Sequence, residues 1–236
     1  MISVKNDLYD YKNRYIYQPE TGFKFSIDSV LLAEYVKVRT DNEKILDLCS
    51  GLIPVPLILS TKFNNKISAM EIQEELCNMG VNSLACNKLN NQINLINDDI
   101  KNVERYFDKN YFDVITCNPP YFKLEEVNLK NDLTQVNISK HEHLINLEEI
   151  FDIVSKYLKN NGTFYMVHRS SRIEDILLLA SKFNINVKEI VILITKKDSF
   201  VKTMLVKCVK NSKKGLRIKT KEICNLNTYQ NIFEEV

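Results

Sequence analysis

The chain has 236 residues, of which 44% are hydrophobic and 26% are charged. This length is enough to bury a sizeable core, and the composition is ordinary for a globular protein. The net charge of +2 excludes a strongly basic chain, so any nucleic-acid contact needs a local basic patch. No apolar run approaches the ~20 residues that a membrane-spanning helix needs, and the polar N-terminus has no signal-peptide core.

The cysteines and histidines predict no metal site. The six cysteines form no Cys-x-x-Cys pair, and the three histidines do not complete a zinc pattern. We therefore expect a reduced, cytoplasmic protein without structural metal. We also expect a monomer or a weak dimer.

The predicted elements alternate between strands and helices after a first amphipathic helix at residues 27–38. The predicted strands are residues 44–49, 66–70, 92–97, 112–117, 162–168 and 187–194, and the helices between them are residues 54–63, 73–88, 147–158 and 173–183. This alternation predicts βαβ units and a mostly parallel sheet with helices on both faces. A seventh strand at residues 202–209 follows the sixth too closely for a parallel crossover, so it should be antiparallel.

The sequence thus predicts an α/β, Rossmann-like fold with a seven-stranded sheet whose last strand is antiparallel. We see no repeat and no composition break, and so expect one domain over residues 1–236. Residues 1–43 form an N-terminal extension and helix, residues 44–209 the core, and residues 210–236 a basic C-terminal extension. Residues 123–140 are a long polar loop, and such loops are often functional.

Acidic residues and a glycine follow the first three predicted strands. Asp47 and Gly51 stand where the first strand turns into a helix, and Glu71 ends the second strand. A carboxylate at that place can accept hydrogen bonds from both ribose hydroxyls of a nucleoside cofactor. After the third strand, Asp98 or Asp99 can accept the amine of the cofactor's adenine, or cap the next helix.

The turn after the first strand departs from the usual Gly-x-Gly-x-Gly pattern. It has Cys49, Gly51 and Ile53 at the three positions, so only the middle glycine is present. The missing glycines argue against a dinucleotide site, in which the turn must closely approach a pyrophosphate.

The fourth strand ends in the most specific motif of the chain, Asn118-Pro119-Pro120-Tyr121. Two consecutive prolines fix both φ angles and remove two donors. The Asn118 side-chain oxygen and the Pro119 carbonyl can then accept both hydrogens of a substrate amine, which localises the nitrogen lone pair for reaction. Tyr121 would stack on a planar substrate.

This tetrad resembles the signature of amino-nitrogen methyltransferases. The block Gln18–Ala33 and the pairs His141-Glu142 and His168-Arg169 are similar to the bacterial family that methylates N6 of adenine-37 in valine tRNA. The resemblance, over residues 18–216, implies a class I methyltransferase fold and S-adenosylmethionine as the cofactor. It also implies that the segment with Phe25, Ser26 and Asp28 closes over the methionine end of the cofactor; Ser26 or Asp28 could equally cap the first helix.

Basic residues near both ends are candidates for contacts with the tRNA anticodon loop. They are Lys12, Arg14, Arg169, Lys213, Lys214 and Arg217. Two alternatives stay open: a protein glutamine N5-methyltransferase, whose substrate amide fits the same acceptors, and a non-catalytic cofactor- or RNA-binding module. The first usually carries a helical N-terminal domain, for which the 43 residues before the first strand leave too little room.

Overall fold

A mixed β-sheet forms the centre of the fold. The computed structural model describes residues 2–9, 11, 13–22, 24–120, 145–194, 202–223 and 228–234. In these ranges eight strands pair in the order β10-β8-β9-β7-β6-β3-β4-β5. Their bounds are β3 Ile45–Leu48, β4 Ile67–Glu71, β5 Ile93–Asn97, β6 Phe112–Cys117, β7 Leu158–Arg169, β8 Ile185–Ile194, β9 Thr203–Lys210 and β10 Arg217–Glu222. The two remaining strands, β1 Ser3–Asp7 and β2 Tyr15–Pro19, form a separate antiparallel hairpin.

Helices cover both faces of the sheet. They are α1 Ile27–Tyr35, α2 Pro54–Lys62, α3 Glu74–Asn87, α4 Leu147–Tyr157 and α5 Ile173–Lys182, with 3-10 helices at Ile100–Arg105 and Ser170–Arg172. The first three pack into one apolar cluster, and the last two into a second cluster on the opposite face. β3 is buried along its whole length because helices cover both of its faces. Among the described residues, no helix has the length and apolarity to cross a membrane.

The structure confirms the predicted fold and adds one strand to it. β9 pairs antiparallel with both β7 and β8, as the short connection required. The additional strand is β10, which pairs parallel with β8 at the edge of the sheet. Its sequence, RIKTKE, lacks the apolar alternation that identifies a strand, because most of its residues are exposed.

The predicted ends of two elements also change. The first helix ends at Tyr35 and not at residue 38, because Val36 is already extended, with φ −63° and ψ 133°. The fifth predicted strand begins at Leu158, four residues earlier than expected, and a register shift between Phe112 and Val114 accompanies the added length.

The N-terminal hairpin is attached to α3 through side chains. Asn87 accepts a hydrogen bond from the Tyr15 backbone N–H at 2.9 Å and donates one to the Tyr15 carbonyl at 2.6 Å. Ser83 accepts from the Tyr17 N–H at 2.8 Å. These two α3 side chains satisfy backbone groups on the outer edge of β2, where no further strand pairs among the described residues.

A buried carboxylate, Glu34 of α1, joins several distant segments. Its Oε1 accepts from the Tyr11 hydroxyl at 2.5 Å, and its Oε2 accepts from Lys62 at 3.1 Å and from the Asn231 backbone N–H at 2.8 Å. The Glu34 side chain is only 1% exposed. It therefore holds the N-terminal segment, α2 and the C-terminal segment against one helix.

Replacing this carboxylate should destabilise the whole fold. We expect Glu34→Ala to lower the free energy of unfolding by about 3 kcal/mol, because it removes the shared acceptor of the Tyr11 hydroxyl, Lys62 and the Asn231 backbone N–H. Denaturant unfolding of the variant measures this loss. Glu174→Ala, which removes an exposed carboxylate from α5, is the matched control and should change little; an equal effect of both substitutions would contradict the assigned role.

Candidate active site

The candidate site lies at one edge of the sheet, where three parallel strands end together. β3 pairs in parallel with β4 on one side and with β6 on the other. The segments that follow them begin at Cys49, Ile72 and Asn118. Ligands in doubly wound α/β folds bind at this edge, outside the carboxyl ends of the strands.

Asp47 is a residue of β3 and lies just beneath this edge, hydrogen-bonded to the neighbouring strand β6. It is 1% exposed and accepts a hydrogen bond from the Thr116 hydroxyl at 2.5 Å. Burial, with a smaller contribution from the Glu71 carboxylate, raises the pKa of Asp47 to about 7, although hydrogen bonds from Thr116 and Ser50 oppose the rise. The hydrogen bond between Thr116 and Asp47 thus joins β3, which leads into the turn, to β6, which leads into the Asn-Pro-Pro motif.

The turn after β3 keeps a glycine-like backbone at three positions, although only one of them is a glycine. Cys49, Gly51 and Ile53 have φ values of 55°, 56° and 59°. This left-handed region costs a residue with a side chain roughly 1–2 kcal/mol. The departure from the glycine pattern therefore lies in the side chains, whereas all three positions adopt the conformation that favours glycine.

Glu71 fixes this turn from the end of β4. Its Oε2 accepts from the Gly51 backbone N–H at 2.7 Å, and its Oε1 accepts from the Gln73 N–H at 2.9 Å. Burial raises the pKa of Glu71, and these backbone hydrogen bonds counteract part of the rise. Each carboxylate oxygen has capacity for a further donor, so the group is oriented and can accept hydrogen bonds from a ligand.

The two acids after β5 hold the 3-10 helix that follows. Asp99 caps it by accepting from the Lys101 N–H at 2.9 Å. Asp98 accepts from the Asn102 amide at 2.7 Å and from the Tyr106 hydroxyl at 2.7 Å. The capping alternative is thus observed for Asp99, and contact of either residue with a cofactor stays a prediction.

Asn118, the first residue after β6, is positioned by α1. Its Nδ2 donates to the Ser29 hydroxyl at 2.8 Å. Because the amide donates through Nδ2 here, its Oδ1 points away from Ser29. The two prolines that follow are buried and half-buried. Ser29 was not among the predicted site residues, although it lies within the N-terminal block that carries the family resemblance.

The other predicted residues of the N-terminal block lie at the start of α1. Ser26 is the N-cap residue, but its side chain makes no capping hydrogen bond. Asp28 is half-buried in the first turn of the helix. Phe25 is half-buried and contacts the ring of Tyr9 edge to face, at 5.3 Å between centroids.

The predicted RNA contacts fall in separate parts of the described chain. Arg14 directly precedes β2 of the hairpin, and Arg169 ends β7. Lys213 and Lys214 are exposed before β10, and Arg217 begins that strand. Predictions that fall outside the described residues concern Lys12, Tyr121 and the pair His141-Glu142.

His168, next to Arg169, has a structural role. It is 2% exposed, and its Nδ1 accepts from the Arg169 backbone N–H at 2.9 Å. Burial, together with the nearby Arg172, lowers the pKa of His168 to about 4. The imidazole is therefore neutral at pH 7 and serves as an acceptor.

The sheet order and the position of the site define a class I methyltransferase. Such a fold has a mostly parallel sheet with one antiparallel strand, and the site lies over the carboxyl ends of the central strands. The family model for the methyltransferase small domain matches residues 24–190. The chain belongs to this family, and it is a methyltransferase whose cofactor is S-adenosylmethionine.

Named relatives agree with this family. The chain is 25% identical over 185 residues to a tRNA1(Val) (adenine(37)-N6)-methyltransferase of Cytophaga hutchinsonii, covering 78% of this chain and 76% of the relative. It is 23% identical to the Phocaeicola vulgatus enzyme of the same name, covering 86% and 84%. Among solved structures, an Agrobacterium tumefaciens protein described as a predicted O-methyltransferase superposes with a TM-score of 0.67 at 16% identity, covering 86% and 90%. At that identity, the superposition supports the fold alone.

The residues at the strand ends fit this cofactor. The oriented carboxylate of Glu71 suits two ribose hydroxyls. The side chains of Cys49 and Ile53 occupy the positions at which a dinucleotide site needs glycine, and S-adenosylmethionine has no pyrophosphate that must be approached there.

The raised pKa of Asp47 makes a pH-dependent stability measurable. The carboxyl group is protonated up to about pH 7 in the folded protein but only up to about pH 4 when unfolded. Its stabilising contribution is thus complete below pH 4 and is lost as the pH rises to 7. We expect Asp47→Asn to gain stability relative to the wild type between pH 4 and pH 7.

Denaturant unfolding at several pH values measures this difference. The exposed Asp108→Asn is the control, which should show no comparable trend. A stability difference between wild type and Asp47→Asn that stays constant from pH 4 to pH 7 would show that Asp47 titrates normally.

Proposed function

We propose that this protein methylates the exocyclic N6 of an adenine in tRNA, namely adenine-37 beside the anticodon of valine tRNA. The observation that carries the proposal is the Asn-Pro-Pro segment at the end of β6, with Asn118 oriented by Ser29. The names of the Cytophaga and Phocaeicola relatives support tRNA as the substrate.

In the proposed mechanism Asn118 and Pro119 bind the substrate amine. Asn118 Oδ1 and the Pro119 carbonyl oxygen each accept a hydrogen bond from one N–H of the amine. This draws the nitrogen from planar toward tetrahedral geometry and directs its lone pair at the methyl group, without a separate strong base. S-adenosylmethionine, when bound, would supply an electrophilic methyl group on its sulfonium: the N–C bond would form as the S–C bond breaks, S-adenosylhomocysteine would leave, and the amine would lose one proton to water. Pro120 fixes the backbone that follows, and Tyr121 stacks on the adenine.

The cofactor-holding residues act through the turn and the strand ends. Glu71 would accept hydrogen bonds from the ribose hydroxyls, and Asp98 or Asp99 would accept one from the adenine amine. Gly51 would let the backbone of the turn approach the cofactor. Asp47 supports the turn from below through Thr116. The start of α1, with Phe25, Ser26 and Asp28, closes over the methionine end.

The RNA contacts are electrostatic in this proposal. The target adenine must be unstacked from the anticodon loop to reach Asn118. Cations in several parts of the chain then hold phosphates of the RNA, which orients the RNA without reading its sequence. The candidates are Arg14, Arg169, Lys213, Lys214 and Arg217, together with Lys12.

Methyl transfer from radiolabelled S-adenosylmethionine to unmodified total tRNA tests the proposal. We expect the label in N6-methyladenosine, from the valine tRNA fraction. Asn118→Ala should reduce the rate by about 10²–10³-fold, because it removes one of two acceptors at the reacting nitrogen. Its affinity for S-adenosylhomocysteine should stay within about threefold of the wild type, a difference below 1 kcal/mol.

The exposed Asn90→Ala is the matched control and should methylate tRNA like the wild type. Label in glutamine of a protein substrate, with none in RNA, would contradict the proposal and favour glutamine methylation. Cofactor binding without transfer to either substrate would instead indicate a non-catalytic module.

A further inference from the structure

A cavity of about 570 Å³ lies on the α1 face of the sheet, away from the strand ends of the active site. It is located over β8, β9 and β10, beside the C-terminal end of α1. Its lining residues are Tyr35, Lys37, Tyr165, Glu189, Val191, Lys207, Arg217, Lys219, Thr220, Lys221, Ile232, Phe233 and Glu234. Five of these are cations and two are carboxylates, so the cavity carries a net positive charge.

Strand register produces this concentration of charge. Tyr165 of β7 pairs with Lys207 of β9, which pairs with Glu189 of β8, which pairs with Arg217 of β10. Paired residues point to the same face of a sheet. Because side chains alternate along a strand, Lys219 joins Arg217 on this face of β10.

The single carboxylate in this row is already engaged. Glu189 Oε1 accepts from the Tyr35 hydroxyl at 2.9 Å. Its Oε2 lies 3.2 Å from Lys219 Nζ and 3.5 Å from Arg217 Nη2. One carboxylate thus orients two cations but neutralises only one charge.

Lys207 is half-buried in the middle of the row without a carboxylate within 4 Å among the described residues. Its Nζ lies 5.8 Å from the centroid of the Tyr165 ring. Burial lowers the pKa of Lys207, and nearby Arg217 lowers it further, although the Glu189 carboxylate raises it. An anion bound in the cavity would stabilise this lysine in its charged form.

The aromatic side chains limit what the cavity can recognise. Tyr165 and Tyr35 are 1% and 5% exposed, so neither tyrosine offers a ring face on which a base could stack. The half-buried Phe233 already packs its ring against Tyr35, at 5.3 Å between centroids. The side chains of Arg217 and Lys219, by contrast, are 77% and 47% exposed at the mouth of the cavity. The cavity therefore suits a small, highly charged, hydrogen-bond-accepting group such as a phosphate.

The same register row leads to the active site. Tyr165 pairs with Thr116 of β6, which pairs with Asp47 of β3. At ~4.8 Å between neighbouring strands, Lys207 lies about 14 Å from Asp47, three strands away. A polynucleotide with one nucleotide at Asn118 can therefore place a nearby phosphate at Lys207.

We propose that this cavity binds a backbone phosphate of the RNA substrate, with Lys207, Arg217 and Lys219 as its positioning residues. The inference rests on the proposed function, because it takes the phosphate from the same RNA. Since phosphate contacts carry no sequence information, the cavity contributes affinity and orientation but not the choice of base.

The test compares the double variant Lys207→Gln/Arg217→Gln with the wild type, using the full chain loaded with S-adenosylhomocysteine. Two RNAs are titrated over a range of salt concentrations: the valine tRNA anticodon stem-loop and a stem-loop with a scrambled loop. The double variant should bind both RNAs about tenfold more weakly. The slope of its log affinity against log salt concentration should also become smaller, by the equivalent of about one to two phosphate contacts. The single, exposed Arg217→Gln should show part of the same loss, without risk to folding.

Lys109→Gln is the matched control, because it removes an exposed cation just before the central strand β6, at the amino-terminal end of that strand. It should leave both affinities unchanged. Unchanged RNA affinity in the double variant would overturn the proposal; the cations would then only protect the edge strand β10 from pairing with other chains. An equal loss in Lys109→Gln would also overturn it, because the effect would be one of overall charge.

A second arm distinguishes the source of the phosphate. Inorganic phosphate is titrated into the wild type and the double variant by calorimetry. Phosphate binding that is lost in the double variant, with RNA affinity intact, would overturn the RNA assignment in favour of a small phosphorylated ligand. If RNA affinity falls in the double variant but the wild type methylates neither RNA, the result would support phosphate binding by the cavity and contradict only the proposed function.

Discussion

The hydrogen bond from Thr116 to the buried Asp47 is the constraint on which the candidate site depends. It joins the two central strands just below their ends, one leading to the cofactor turn and the other to Asn118. A carboxyl group with a pKa raised to about 7 is a costly group to bury at the centre of a sheet. The hydrogen bond keeps the ends of β3 and β6 in register. This register is needed if a cofactor at the end of β3 and a substrate at the end of β6 are to meet.

Two further contacts transmit this constraint to the ligand-binding groups. Glu71 holds the turn after β3 through the Gly51 N–H, and Ser29 holds the Asn118 amide from α1. The turn keeps three left-handed residues although two of them have side chains, so the surrounding hydrogen bonds must offset a cost of roughly 2–4 kcal/mol for that pair. The backbone shape at the cofactor turn is thus maintained by the contacts of its neighbours.

Sequence patterns predicted the parts of the fold that depend on local order. The alternating strands and helices, the antiparallel β9 and the strand-end positions of Glu71 and Asn118 follow from periodicity and connection length. The strand β10 and the N-terminal hairpin could not be predicted, because their residues are mostly polar and are held by partners far away in the chain, such as Asn87 and Ser83. The Ser29–Asn118 contact spans 89 residues, and no spacing rule indicates such a pair.

The acceptor pair at the end of β6, Asn118 Oδ1 and the Pro119 carbonyl, is the centre of the proposed function. A crystal structure of the protein with S-adenosylhomocysteine and the valine tRNA anticodon stem-loop tests it most directly. We predict that the N6 amine of adenine-37 lies within about 3.2 Å of both Asn118 Oδ1 and the Pro119 carbonyl oxygen. An adenine amine bound in the site but beyond hydrogen-bonding distance of both atoms, or a loop whose adenine stays stacked outside the site, would contradict it.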